Sequence, residues 1–279
     1  MSNTFSASRF GKYFLYDMRR WAASYGPTLL LMSAAPVILY VLIGIYTLLF
    51  NMHWDTPGET VRIIVGCIVT YIMVLTYPSN VYGYVTEKRA GSMFIMIPAS
   101  VFEKTLSMIL NTVLIVPLAF AAIYLSLDAV VCLVDGTCGG TLFGCAAKGI
   151  NALVTFAFTS DAPVHVSLFS MYLNAGISTL FFLLAALIFK KHKILYPLLI
   201  VIGLQMVFSM LLGIFFTSGL IDYDNMIEWF GRLAEHYVLD PDFMNWAIPV
   251  FNALSAIFNI VVFGAFCAAV FFRVKTIKH

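Results

Sequence analysis

The feature that most constrains this chain is a recurrence: apolar runs of roughly 20 residues, each long enough to cross a ~30 Å hydrocarbon layer as a helix. Six stand out, at 28–50, 61–82, 105–127, 167–189, 194–219 and 247–272. Helix is the expected form, because an isolated apolar strand leaves its backbone N–H and C=O groups without partners in lipid. Mean hydropathy is +0.93 and only 11% of residues are charged, against about 25% in soluble domains. The expected fold class is therefore all-α, a polytopic membrane protein with six transmembrane helices and little soluble mass. The first run is too long, and begins too far in, to read as a cleavable signal.

Charge sets the expected orientation. With the N-terminus in the cytosol and the six runs alternating, the cytosolic side holds Arg9, Lys12, Arg19, Arg20, Lys88, Arg89, Lys104, Lys190, Lys191, Lys193, Arg273, Lys275 and Lys278. Only Arg62, Lys148 and Arg232 are left outside, with most of the acids. This is the positive-inside pattern, and it predicts a multi-pass protein of the cytoplasmic membrane with both termini cytosolic. The stretch 141–158 is fairly apolar, but as a seventh span it would bury Lys148 and push the basic cluster 190–193 outside. It reads as an external amphipathic or re-entrant piece.

Residues 1–27 read as a cytosolic interfacial helix and turn. At 100° per residue Phe10, Tyr13, Phe14, Met18, Trp21 and Tyr25 form one stripe, with Arg9, Lys12, Arg19 and Arg20 opposite. A helix lying in the interface has this pattern. Asp17 breaks the apolar stripe, and either snorkels to the surface or meets a basic residue of another segment. "YGPT" is expected to turn the chain into the membrane.

Capping signals mark helix starts: Thr56, Pro57 and Glu59 before the second run, Ser100 and Glu103 before the third, Asp240 before the sixth. Pro36, Pro78 and Pro117 fall inside runs and read either as ordinary membrane-helix kinks or as hinges. The loop 220–246 carries Met226, Ile227, Phe230, Leu233 and Tyr237 at helical spacing. Cys67 and Cys267 read as small apolar residues, and Cys145 has no evident mate. Cys132 and Cys138 flank an Asp-Gly turn; on an oxidising outer face they either pair or stay as thiols.

Several chemistries are missing. The sequence has no GxxxxGK[ST] phosphate loop, no GxSxG, no HExxH and no metal-ligand spacing of His and Cys. The interiors of the six runs hold no Asp, Glu, Lys, Arg or His, the residues that proton-driven carriers use at membrane depth. An enzyme is not expected, and an ion-coupled carrier stands only third. The uncharged polar residues Asn111, Asn174, Gln205, Asn252, Ser255 and Asn259 read either as interhelical hydrogen bonding or as the lining of a substrate path.

One charged island remains. Between the second and third runs "VYGYVTEKRAGSMFIMIPASVFEKTLSMIL" places Glu87, Lys88 and Arg89 at the surface. Gly91 permits a turn, "SMFIMI" lies with its apolar side down, Pro98 stops it, and Ser100 with Glu103 caps the next helix. The result is a short elbow clamped at both ends by membrane helices, so that force on it moves two spans together.

This stretch resembles the segment after the second span in membrane subunits of type-two ABC exporters, where an "E-K-R-x-G-S" stretch precedes an "L-P-A-S-x-x-E-K"-like one. The layout of the rest of the chain is similar. The resemblance implies a permease subunit that pairs with a second permease subunit, as homodimer or heterodimer, and binds a separate ATPase subunit through the elbow. ATP would be held by that partner and no cofactor by this chain; no nucleic acid is implied. The matching positions are Glu87, Lys88, Arg89, Gly91, Ser92, Pro98, Ala99, Ser100, Glu103 and Lys104. Glu87, Lys88 and Arg89 would make the polar contacts, while Ser100 and Glu103 stiffen the helix start. The long segment 128–166 departs from the family layout. It also keeps a second reading open, a non-transporting membrane scaffold or sensor that works through its external loops.

Overall fold

The computed structural model describes residues 5–54, 57–134, 141, 142, 144, 168–217 and 241–277. Its helices are α1 (Ala7–Ser33), α2 (Ala35–Asn51), α3 (Glu59–Tyr82), α4 (Lys88–Met96), α5 (Val101–Leu110), α6 (Val116–Val134), α7 (Leu168–Ile188), α8 (Leu195–Thr217) and α9 (Pro241–Thr276). A single wider turn, Asn111–Ile115, joins α5 to α6, and a tight turn, Gly83–Thr86, follows α3. Among the described residues four helical stretches are long and apolar enough to cross a membrane: Ala7–Phe50, Thr60–Thr86, Val101–Val134 and Ala253–Thr276. Two shorter apolar helices, Tyr172–Ile188 and Leu195–Leu211, fall on the fourth and fifth apolar runs. The chain is an all-α, multi-pass membrane protein.

Three sequence expectations change at helix ends. The chain does not turn at "YGPT": α1 continues through Pro27 to Ser33, and the break comes at Ala34. Pro36 then sits in the first turn of α2 rather than in a helix interior, where its missing N–H removes no helical bond. Before the second span the helix begins later than the motif suggested. Gly58 is the N-cap and Glu59 the first helical residue, so Pro57 precedes the helix. Thr56 and Asp240, the other expected caps, lie outside the described residues, as do 145–158 and the helical pattern at 226–237. Pro78 and Pro117 do lie inside helices. Pro117 takes away the N–H that would bond Val113 four residues back. The Tyr172 hydroxyl of α7 donates to that Val113 oxygen at 2.9 Å.

Packing follows from one stripe on α1. Tyr13, Asp17, Trp21, Tyr25, Leu29 and Ser33 recur every four residues and are buried, against α3, α5 and α6. Tyr25 meets Tyr77 edge to face with centroids 5.2 Å apart, and Tyr77 meets Tyr82 in the same way at 6.2 Å. The second layer is α7 between α3 and α9. Gly176 allows this approach: a Cβ there would lie 3.0 Å from the Phe263 ring. By contrast, the α8 side chains from Leu204 to Leu211 are exposed.

At the end of the bundle away from the elbow, α3 and α6 are joined by a buried ion pair. Arg62 donates to Asp128 Oδ1 at 2.8 Å, with side chains 2% and 1% exposed. The other Asp128 oxygen accepts the Leu142 N–H at 2.7 Å, and the Tyr124 hydroxyl donates to the Arg62 carbonyl. Arg62 also reaches Cys132 Sγ. Cys132 is disulfide-bonded; Cys138 and Cys145 lie outside the described residues, and Cys67 and Cys267 are free. Removing one partner of a buried pair leaves the other charge uncompensated. Asp128→Ala should lower stability in detergent by about 3–5 kcal/mol, and the double variant Arg62→Met/Asp128→Leu should recover most of the loss. Chemical unfolding of the purified protein measures both.

Candidate functional site

The elbow between α3 and α5 gathers an unusual share of the polar contacts. It begins at Gly83–Thr86, where Glu87 has extended backbone and serves as the N-cap of α4. Lys193, from the loop between α7 and α8, lies across this start. Its ammonium donates to the Gly83 carbonyl at 2.7 Å and to Glu87 Oε1 at 3.0 Å. A Cβ at Gly83 would stand 2.9 Å from Lys193 Cδ, so the lysine side chain packs directly on the bare glycine. Gly91 is not a turn residue. It is buried within α4, and its N–H bonds the Glu87 carbonyl.

The far end of α4 is held from α5. Lys104 is buried, and its ammonium donates to the Phe94 carbonyl at 2.7 Å and to the Ile95 carbonyl at 3.4 Å. These are C-terminal carbonyls of α4 with no partner inside their own helix, and a cation at that end also suits the helix dipole. The same ammonium lies 4.8 Å from the Phe94 ring centroid. Lys104 is therefore a structural residue that ties α5 to α4. The chain leaves through Ile97 and Pro98 and re-enters a helix at Ser100.

Ser100 and Glu103 form the capping box expected from sequence. Glu103 N–H donates to Ser100 Oγ at 3.2 Å, and Ser100 N–H donates to Glu103 Oε2 at 2.8 Å. The structure adds a partner that the motif did not reveal. Arg9 of α1 grips the same carboxylate with Nε at 2.8 Å and Nη2 at 2.7 Å, and the Ser6 N–H adds a bond at 2.9 Å. Glu103 is fully buried. A two-pronged guanidinium–carboxylate pair fixes orientation as well as distance. One side chain thus joins α1, the α4–α5 corner and the start of the third span.

Arg20, on the same helix, donates to the Val81 carbonyl at 2.7 Å and to the Tyr84 hydroxyl, and stacks over the Tyr84 ring at 3.9 Å. Arg9 and Arg20 therefore hold the elbow, whereas Lys12 and Arg19 are exposed. Arg273 near the end of α9 donates to the Leu187 carbonyl of α7. Arg9, Arg20, Lys104 and Lys193 all hold the elbow at this one end, while Arg62 lies at the other.

What the elbow leaves open is one face of α4. Arg89, Met93 and Met96 follow at helical spacing and are exposed, Met93 at 65% and Met96 at 75%; Phe94 and Gly91 turn inward. The side chain of Lys88 lies outside what is described. Only part of "SMFIMI" is thus apolar side down.

The residues proposed for a substrate path do not converge. Asn111, in the wide turn after α5, is fully buried against α1, where it donates to Asp17 Oδ2 at 3.0 Å. Asn174, Gln205 and Ser255 are exposed on three different helices, and Asn259 is nearly buried on α9. The side chain of Asn252 lies outside the described residues. A cavity of about 730 Å³ instead lies between α3, α6 and α7, lined by Tyr71, Phe120, Tyr124 and Ser178 among others. Sequence reasoning also missed the role of Asp17. It neither snorkels nor pairs with a cation within salt-bridge distance: it is fully buried and accepts hydrogen bonds from Tyr82, Ser107 and Asn111. Its place on an otherwise apolar stripe was the available signal.

No family model, curated protein or solved structure matches the chain. Among the described residues no group of three or more His, Cys, Asp or Glu side chains is placed to hold a metal.

Losing the Ser100 hydroxyl removes one cap bond, so Ser100→Ala should destabilise the chain by about 1 kcal/mol. Lys104→Met should leave the fold intact and free the end of α4. Amide hydrogen exchange at 93–96 should then speed up at least tenfold, with exchange in α6 unchanged.

Proposed function

We propose that this chain is the transmembrane permease subunit of an ATP-driven exporter of the ABC type, moved by a separate ATPase subunit. The observation that carries the reading is the elbow. It is a short helix fixed at its start by Lys193, at its end by Lys104 and at its exit by the Arg9–Glu103 pair, with one face left free. A push on α4 is passed to α3 through Gly83–Thr86, to α5 through Lys104, and to α1 through Arg9. A loop that only joins two spans has no use for that many anchors. The resemblance of the sequence around Glu87 to Lys104 to exporter subunits points the same way.

In this reading the elbow end is cytosolic, six spans cross the membrane, both termini face the cytosol, and a second permease subunit completes the transporter. The docking surface on α4 is the exposed strip Arg89, Met93 and Met96, an arginine beside flexible thioethers that conform to a partner surface. Glu87 is tied to Lys193 yet its side chain is 58% exposed, so in this reading it both positions the elbow and remains a polar contact. The chain performs no catalysis itself; ATP is bound and hydrolysed by the partner.

Co-purification with candidate ATPase subunits tests this. The wild-type chain should retain one of them, and the pair should show ATP-dependent flux of an amphipathic substrate in vesicles. Arg89→Ala/Met93→Ala should weaken retention by at least tenfold while leaving the permease folded. Retention of no ATPase, or retention unchanged by the double variant, would contradict the proposal.

A further inference from the structure

Four buried polar atoms on residues around Asp17 have no hydrogen-bond partner within 3.5 Å: Asp17 Oδ1, Asn111 Oδ1, the Tyr77 hydroxyl and Trp21 Nε1. Buried orphans of this kind are rare and call for a physical account. Three of the four are oxygens, and they come from three elements: α1, α3 and the wide turn after α5. The Trp21 ring is set at 84° to the Tyr77 ring with centroids 6.2 Å apart.

Asp17 organises the cluster. Its Oδ2 is saturated: Ser107 Oγ–H at 2.7 Å, Tyr82 O–H at 3.0 Å and Asn111 Nδ2–H at 3.0 Å all donate to it. All three donors are neutral. Arg20 on the same helix is committed to Val81 and Tyr84, and among the described residues no ion pair to Asp17 is formed. The carboxylate is 0% exposed, as is Asn111. A buried carboxylate among neutral groups is costly unless a positive charge joins it or it takes up a proton. The remaining oxygens are a carboxylate and an amide carbonyl, ligand types of a hard cation, and a phenol hydroxyl. Asn111 also begins a wide helical turn, an irregularity often found at functional positions, and irregular membrane helices are where sodium is held in other transport folds.

We infer that Asp17 Oδ1, Asn111 Oδ1 and the Tyr77 hydroxyl bind a small monovalent cation, sodium, at the junction of α1, α3 and α5. The ion neutralises Asp17 and locks the N-terminal helix to the two spans that flank the elbow. This site does not depend on the ATPase reading and is tested without any partner.

The probe is sodium itself. The purified full-length chain in detergent is heated in rising sodium chloride, with choline chloride holding ionic strength constant. The unfolding midpoint should climb with sodium and keep climbing with the logarithm of its concentration, as for any ligand that binds only the folded state. Asp17→Asn should abolish the response. Tyr77→Phe, which keeps the carboxylate and the ring, should shift the response to several-fold higher sodium. Equilibrium dialysis with radioactive sodium reads the wild-type protein directly and needs no variant; one ion per chain is expected. A wild-type midpoint indifferent to sodium, with no ion retained, would overturn the inference and leave a proton on Asp17, or a water, in its place. So would an Asp17→Asn protein that folds and binds sodium as well as wild type.

Discussion

The carboxylate of Glu103 is the contact on which the rest of the elbow depends. It closes the helix start at Ser100, takes both prongs of Arg9, and accepts the Ser6 N–H, all while fully buried. A buried charge with four donors is stable only when every donor is in place. The position of α1 is therefore coupled to the geometry of the α4–α5 corner. Lys104, the next residue, carries the coupling on to the end of α4. Two adjacent side chains in the first turn of α5 thus join three helices, and the exposed strip of α4 is held in a defined orientation by both.

Around that corner the bundle carries two neighbouring polar clusters, with a third at its opposite end. The elbow cluster holds Arg9, Arg20, Lys104 and Lys193. Beside it lies the Asp17 cluster, drawn from α1, α3, α5 and the wide turn after α5. The opposite end is closed by the Arg62–Asp128 pair. Against the Asp17 cluster Trp21, Tyr25, Tyr77 and Tyr82 pack edge to face. These contacts concentrate on α1, α3, α5 and α6. By contrast, α8 presents exposed apolar side chains along most of its length.

The helical class and the positions of the apolar runs were legible because burial in lipid demands long uninterrupted stretches, and 61% of this sequence is hydrophobic. The Ser100–Glu103 box was legible because its two members lie three residues apart. Long-range partners were not. Nothing local announces that Arg9 will meet Glu103, or that Arg20 will cap α3 instead of facing headgroups. Helical periodicity placed Asp17 correctly on the inward stripe, but it has no means of finding Ser107 and Asn111, about 90 positions away. The turn expected at "YGPT" failed for a different reason. A proline inside a membrane helix is tolerated when neighbours re-satisfy the backbone, so Pro27 alone did not end α1. Gly91 likewise read as a break yet lies within a helix, since a single glycine weakens a helix without ending it.

The account stands on the elbow facing the cytosol, where an ATPase is available to push it. The direct measurement is the sidedness of α4. Place a cysteine at Arg89 and challenge intact cells, then inside-out vesicles, with a membrane-impermeant thiol reagent, against the unaltered chain as background. The account predicts no added labelling in cells and strong labelling in the inverted vesicles. Labelling from outside intact cells would contradict it.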